Sequence, residues 1–134
     1  MWWIKDITVT KGTTRNSPVE TVANVPLGTI ERVLIFFPPG CLGYVKATLW
    51  VQEHQFLPEN PAGYITGDDY VFDMPMDKEI KDKAEVVKVV TWNTAVTYDH
   101  TITVGIFARE SLGSKVSQAV KSLFGMAGQT VEIE

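Results

Sequence analysis

This chain of 134 residues has one cysteine and two histidines. A single cysteine cannot close an internal disulfide, so the fold must rest on packing whatever the redox compartment. A structural zinc site asks for about four Cys, His or carboxylate ligands at recognisable spacings, and Cys41, His54 and His100 do not supply them. No apolar stretch approaches the ~18–20 residues of a membrane-crossing helix. The first residues, MWWIKDITVT, lack the basic segment and apolar run of a signal peptide. Basic residues are too few for a broad nucleic-acid surface: 12 Lys and Arg stand against 16 Asp and Glu, a formal charge of −4. No phosphate-binding glycine loop, nucleophile elbow or HExxH motif is present. These absences lead us to expect a soluble acidic domain made in the cytoplasm, with no cofactor, metal, nucleic acid or membrane partner. They argue against an enzyme.

What is present reads as strands. Apolar residues make up 45% of the chain and charged residues 21%, enough apolar material for one packed domain. Val, Ile, Thr and aromatics dominate, and turn-forming residues interrupt them at short intervals. Trp3, Ile7 and Val9 fall near period two. The turn-rich loop KGTTRNSP follows, and VETVANVPLG is a short strand ended by Pro26 and Gly28. ERVLIFF is almost wholly apolar, which suits a strand covered on both faces. YVKATLWVQE alternates cleanly, with Val45, Ala47, Leu49 and Val51 on one side and Lys46, Thr48, Trp50 and Gln52 on the other. HQFLPENPAG breaks the pattern. DDYVFDM is another short strand, separated by the polar DKEIKDKAE from EVVKVVTWN. TITVGIFAR closes the series with Ile102, Val104, Ile106 and Ala108 on one face. Without βαβ alternation, about seven or eight such strands predict an antiparallel β-sandwich of jelly-roll or Greek-key type.

The tail differs in kind. Leu112, Val116, Ala119, Val120, Leu123 and Phe124 recur at spacings that draw one helical stripe. Ser111 suits its cap and Gly125 its end. The expected organisation is a sandwich over 1–110 with an N-terminal arm, then a short amphipathic helix and tail over 111–134. QTVEIE alternates again and could pair as a strand.

Few residues invite chemistry. Cys41 lies in PPGCLG between two strands, with no helix N-terminus after it and no histidine beside it in sequence. A buried corner cysteine is expected there, with Pro38, Pro39, Gly40 and Gly43 turning the chain. His100 reads as a polar strand-edge residue. Asp68, Asp69, Asp73 and Asp77 lack the EF-hand spacing and read as a solvated turn that blunts an edge strand. The four tryptophans carry more information. Trp50 falls on the polar face of its strand and Trp92 ends another, so either could stack on a sugar ring or bury in a protein contact. Trp2 and Trp3, at the extreme terminus, suit an arm that anchors on a neighbouring subunit.

Three stretches carry a resemblance: VPLGTIERVLIFFPPGCLGYVKATLWVQEHQFLPEN, GDDYVFDMP and YDHTITVGIF. An apolar strand enters a PPGC corner, a strand and a Q-x-x-P-x-N turn at Gln55 to Asn60 follow, then an acidic turn and a final HTI-V strand. This order, over about residues 20–108, resembles the small β-sandwich proteins of tailed-phage virions, particularly the jelly-roll capsid-decoration proteins. The resemblance implies a symmetric homo-oligomer, commonly a trimer, that clamps the major capsid protein on the capsid surface. It assigns no catalytic residue. The expected intersubunit residues are Trp2, Trp3, Val116, Val120, Leu123 and Phe124. The rival reading is a carbohydrate-binding module with Trp50 and Trp92 as stacking platforms.

Overall fold

The computed structural model describes residues 1–82 and 85–111. The stripe of residues 112–124, and the possible strand at QTVEIE, lie outside them. Nine strands are formed: β1 (Trp2–Val9), β2 (Val19–Ala23), β3 (Gly28–Phe37), β4 (Val45–Val51), β5 (His54–Leu57), β6 (Ile65–Thr66), β7 (Tyr70–Ile80), β8 (Val87–Asn93) and β9 (His100–Glu110).

They build two antiparallel sheets, ordered β1-β9-β3-β7 and β2-β8-β4-β5, with β6 also paired to β4. From β1 to β4, and again from β6 to β9, each strand lies in the opposite sheet from the one before it. That wrapping is the connectivity of a jelly roll, as the turn-punctuated pattern predicts.

Alternation decides which side chains meet. Ile102, Val104, Ile106 and Ala108 of β9 face Val45, Ala47, Leu49 and Val51 of β4 across the interior, all of them buried. Val33, Ile35 and Phe37 of β3, and Val87 and Val89 of β8, complete the centre. Two expectations about strands are corrected. First, the polar DKEI is not a break, because β7 runs on to Ile80 in register with β3 down to Gly28. An edge strand tolerates Pro75 and its acidic neighbours, whose outer side makes no ladder. Second, Trp2 and Trp3 are not on a free arm. They pair with Phe107 and Ile106 inside the β1–β9 ladder, and the Met1 amine donates to the Ala108 carbonyl at 2.8 Å.

Gly28 explains how β3 can start so close to the end of β9. Its φ is +144°, and a Cβ there would sit 2.0 Å from the Arg109 carbonyl oxygen. No other residue fits that approach.

Candidate interaction surfaces

The PPGC corner, residues 38–44, carries the chain from one sheet to the other. Gly40 and Leu42 hold positive φ, and both of their amides donate to Asp68 Oδ1, at 2.9 and 3.0 Å. Asp68 therefore ties the corner to the β6–β7 turn. Cys41 is buried inside it, as expected. Burial, with the Asp68 charge adding to it, pushes the Cys41 thiol up from its usual range, away from the thiolate that a nucleophile requires.

The loops at this end are held by a residue that no motif announced. Asn93, fully buried, donates from Nδ2 to the Val9 and Tyr98 carbonyls and accepts from the Ala95 amide, each at about 3 Å. Its own amide donates to Thr13 Oγ1 at 2.7 Å. These bonds shape a cleft of about 470 Å³ lined by Leu42, Tyr44, Val96, Tyr98 and His100, among others. His100 sits half-buried at the start of β9, opposite Val9, and His54 is exposed.

On the outer face of the second sheet the two candidate stacking tryptophans part company. Trp92 is no platform. The Arg15 guanidinium lies 5.0 Å above its ring, and Tyr64 packs edge-on at 6.0 Å. Arg15 is itself fixed, donating to the carbonyls of Pro61, Ala62 and Gly63 and to Gln55 Oε1. Gln55 donates in turn to the Pro58 and Asn60 carbonyls, which gives the Q-x-x-P-x-N turn its physical basis. Trp50 is half-buried, with Nε1 donating to Thr48 Oγ1 at 2.9 Å. It borders a groove of about 360 Å³ with Arg15, Asn16, Glu20, Glu53 and Lys88 on its rim.

The outer face of the first sheet carries an exposed apolar patch. Register sets its rows. Trp2, Phe107 and Arg32 lie abreast, then Ile4, Gly105 and Leu34, then Asp6, Thr103 and Phe36, with Val71 beyond Phe36. Trp2 and Phe107 rings tilt together at 5.0 Å. Gly105 lets its neighbours close in: a Cβ there would lie 3.5 Å from Trp2 Cζ3 and 3.7 Å from both Ile4 and Leu34. Trp2, Ile4, Phe36 and Val71 remain 42, 64, 37 and 52% exposed. Together they bare on the order of 400 Å² of apolar surface, the size at which a patch on a monomer is often functional. The Arg32–Asp73 pair borders this patch, and its hydrogen bond holds the Asp73 carboxyl below the usual range.

ERVLIFF was expected to be covered on both faces. Its outer residues, Leu34 and Phe36, are left partly bare by the described residues. Trp3 turns the other way, half-buried against the core. Trp2 is thus the member of the terminal pair on the surface. Among the described residues no cluster of three or more His, Cys, Asp or Glu could hold a metal ion, and no buried side-chain polar atom lacks a hydrogen-bond partner. Comparison of the chain with protein-family models, with curated proteins and with solved structures finds no significant match.

Proposed function

We propose that this protein is a non-enzymatic virion structural subunit, a capsid-decoration or head-stabilising protein that acts as a homo-oligomer, with three copies favoured, against the major capsid protein. One observation carries the reading. A sheet held together by backbone ladders presents Trp2, Ile4, Phe36 and Val71 to the outside. Covering ~400 Å² of such surface at ~25 cal/mol per Å² supplies about 10 kcal/mol before the costs of association. The positions of the polar side chains support the same reading. Asp68, Asn93, Arg15 and Gln55 all serve the fold through hydrogen bonds to the backbone.

The test is sedimentation at micromolar concentration, alone and with shells assembled from a tailed-phage major capsid protein. A trimer that binds shells is expected. A monomer that ignores them would sink the proposal.

The Trp50 groove favours a second reading, a carbohydrate-binding module. One indole edged by carboxylates, a lysine and an amide offers a stacking surface with hydrogen-bonding groups around it. A glycan array with strong binding that Trp50→Ala abolishes would establish it in place of the first.

A further inference from the structure

The cleft at the loop end of the sandwich is used by neither reading above. We infer that it binds a neutral sugar, a pyranose of one or two rings, at a site separate from the Trp50 groove. Leu42 and Tyr44 of the PPGC corner form one wall. Val96, Thr97 and Tyr98 of the β8–β9 loop, with His100 at the start of β9, form the other. At about 470 Å³ the cleft falls within the span of small-ligand sites, roughly 300–1,000 Å³.

Both walls are fixed before any ligand arrives. The Tyr44 amide donates to the Cys41 carbonyl at 2.8 Å, and the Tyr44 carbonyl accepts from the Thr94 amide at 3.0 Å. Across the cleft, Asn93 holds the Ala95 amide and the Tyr98 carbonyl. The Gly12 amide donates to the Ala95 carbonyl at 2.8 Å, and Asp99 accepts from the Lys11 amide at 2.9 Å. Binding therefore does not have to order these loops. The core does not account for the side chains they present. Leu42 holds φ +49°, a conformation leucine rarely adopts, and is 67% exposed. Val96 and Tyr98 are 84 and 70% exposed. An apolar rim of this kind around a concavity marks a surface that meets a ligand. The chemistry of the lining selects which one. Among the described residues it holds no Lys, Arg, Asp or Glu, so a phosphate, a carboxylate or an amine would leave water without meeting an opposite charge. The hydroxyls of Tyr44, Thr97 and Tyr98 and the His100 imidazole make no hydrogen bond to the described residues. Each hydroxyl can both donate and accept. A wholly apolar ligand would strip water from these groups and return no bond. A sugar meets both demands. Its C–H face suits the tyrosine rings and the aliphatic rim, and its hydroxyls suit the phenols, Thr97 and His100.

Saturation-transfer NMR on the full-length chain tests this with the methyl glycosides of glucose, galactose, mannose and N-acetylglucosamine at millimolar concentration. Transfer to the ring protons of at least one is expected, with amide shifts in the wild-type chain centred on residues 40–44 and 94–100. Tyr98→Ala, at an exposed side chain, should abolish the transfer. Tyr98→Phe, which removes one hydroxyl, should weaken binding roughly fivefold, and Trp50→Ala should leave it unchanged. The anionic methyl glucuronide and the cationic methyl glucosaminide should bind at least ~10-fold more weakly than the best neutral glycoside. No transfer from any neutral glycoside would overturn the inference. So would transfer that Tyr98→Ala leaves intact, or charged sugars that bind as tightly as neutral ones. Transfer lost in Trp50→Ala, with shifts centred on residue 50, would place sugar binding in that groove and refute the loop-end site. The shift map is read on the wild-type chain, so it decides the matter even where a variant fails to fold. None of these outcomes depends on oligomeric state, so this site and the virion reading fail separately.

Discussion

Replacing Asn93 with alanine tests whether one buried amide organises the loop end of the jelly roll. The side chain makes three hydrogen bonds, two given to the Val9 and Tyr98 carbonyls and one taken from the Ala95 amide. Its residue is fully buried, and Val9 and Ala95 are buried as well. Truncation leaves the Val9 carbonyl and the Ala95 amide without this partner where water does not easily replace it. Each such loss costs about 1–3 kcal/mol. Tyr98 is exposed, so its carbonyl can turn to solvent at little cost. The expected loss is therefore about 3–4 kcal/mol. For a chain of this size each kcal/mol moves the melting temperature by roughly 3–5 °C, so the midpoint should fall by roughly 10–15 °C. Thermal unfolding followed by circular dichroism, with urea titration as the second measure, reads this directly. A loss below about 1 kcal/mol would refute the argument, because the loops would then hold their shape without the amide.

Three further outcomes follow from the same geometry. Arg15→Met keeps the aliphatic stem but removes the donors to residues 61–63 and the cation over Trp92. It should cost about 2 kcal/mol and raise quenching of tryptophan emission by iodide, and unchanged quenching would contradict the capping role. Cys41 should react with a disulfide reagent at pH 8 at least ~100-fold more slowly in the native protein than after unfolding, given its burial. Because its folded pKa is raised, the stability it contributes is present below the unfolded thiol's pKa and is lost as pH rises beyond it. The Asp73 carboxyl, held down by its hydrogen bond to Arg32, should titrate by NMR below an ordinary aspartate and move up in Arg32→Ala. Its contribution to stability is present above the unfolded pKa and is lost as pH falls through the folded one.

The sequence made legible what alternation controls. β4 and β9 could be assigned face by face because one side of each enters a dry core and the other does not. The polar run DKEI looks like the end of DDYVFDM, although β7 continues through it and through Pro75. Only its place at the sheet edge, which no local signal carries, makes those residues acceptable. Trp92 looked like a free platform because its cover, Arg15, comes from the β1–β2 loop far away in the chain. The anchoring role of Asn93 is equally non-local, since its partners come from β1 and the β8–β9 loop. The apolar patch was half visible. ERVLIFF announced two apolar faces, and Trp2 stood out as a large apolar residue at the terminus. Their meeting on one surface needed the β1–β9–β3 register, which aligns Ile4, Gly105 and Leu34 across three strands.

The account stands or falls on whether that aligned surface joins subunits. Ile4 is the most exposed apolar side chain in the patch, and a lysine there disturbs no core residue. Sedimentation velocity of the full chain beside its Ile4→Lys variant, each with its melting curve, is the most direct measurement. An oligomer for the wild type is predicted, and for the variant a folded monomer that melts cooperatively at a concentration-independent midpoint no higher than that of the wild type. Identical sedimentation of the two chains, whether both associate or both stay single, would contradict it.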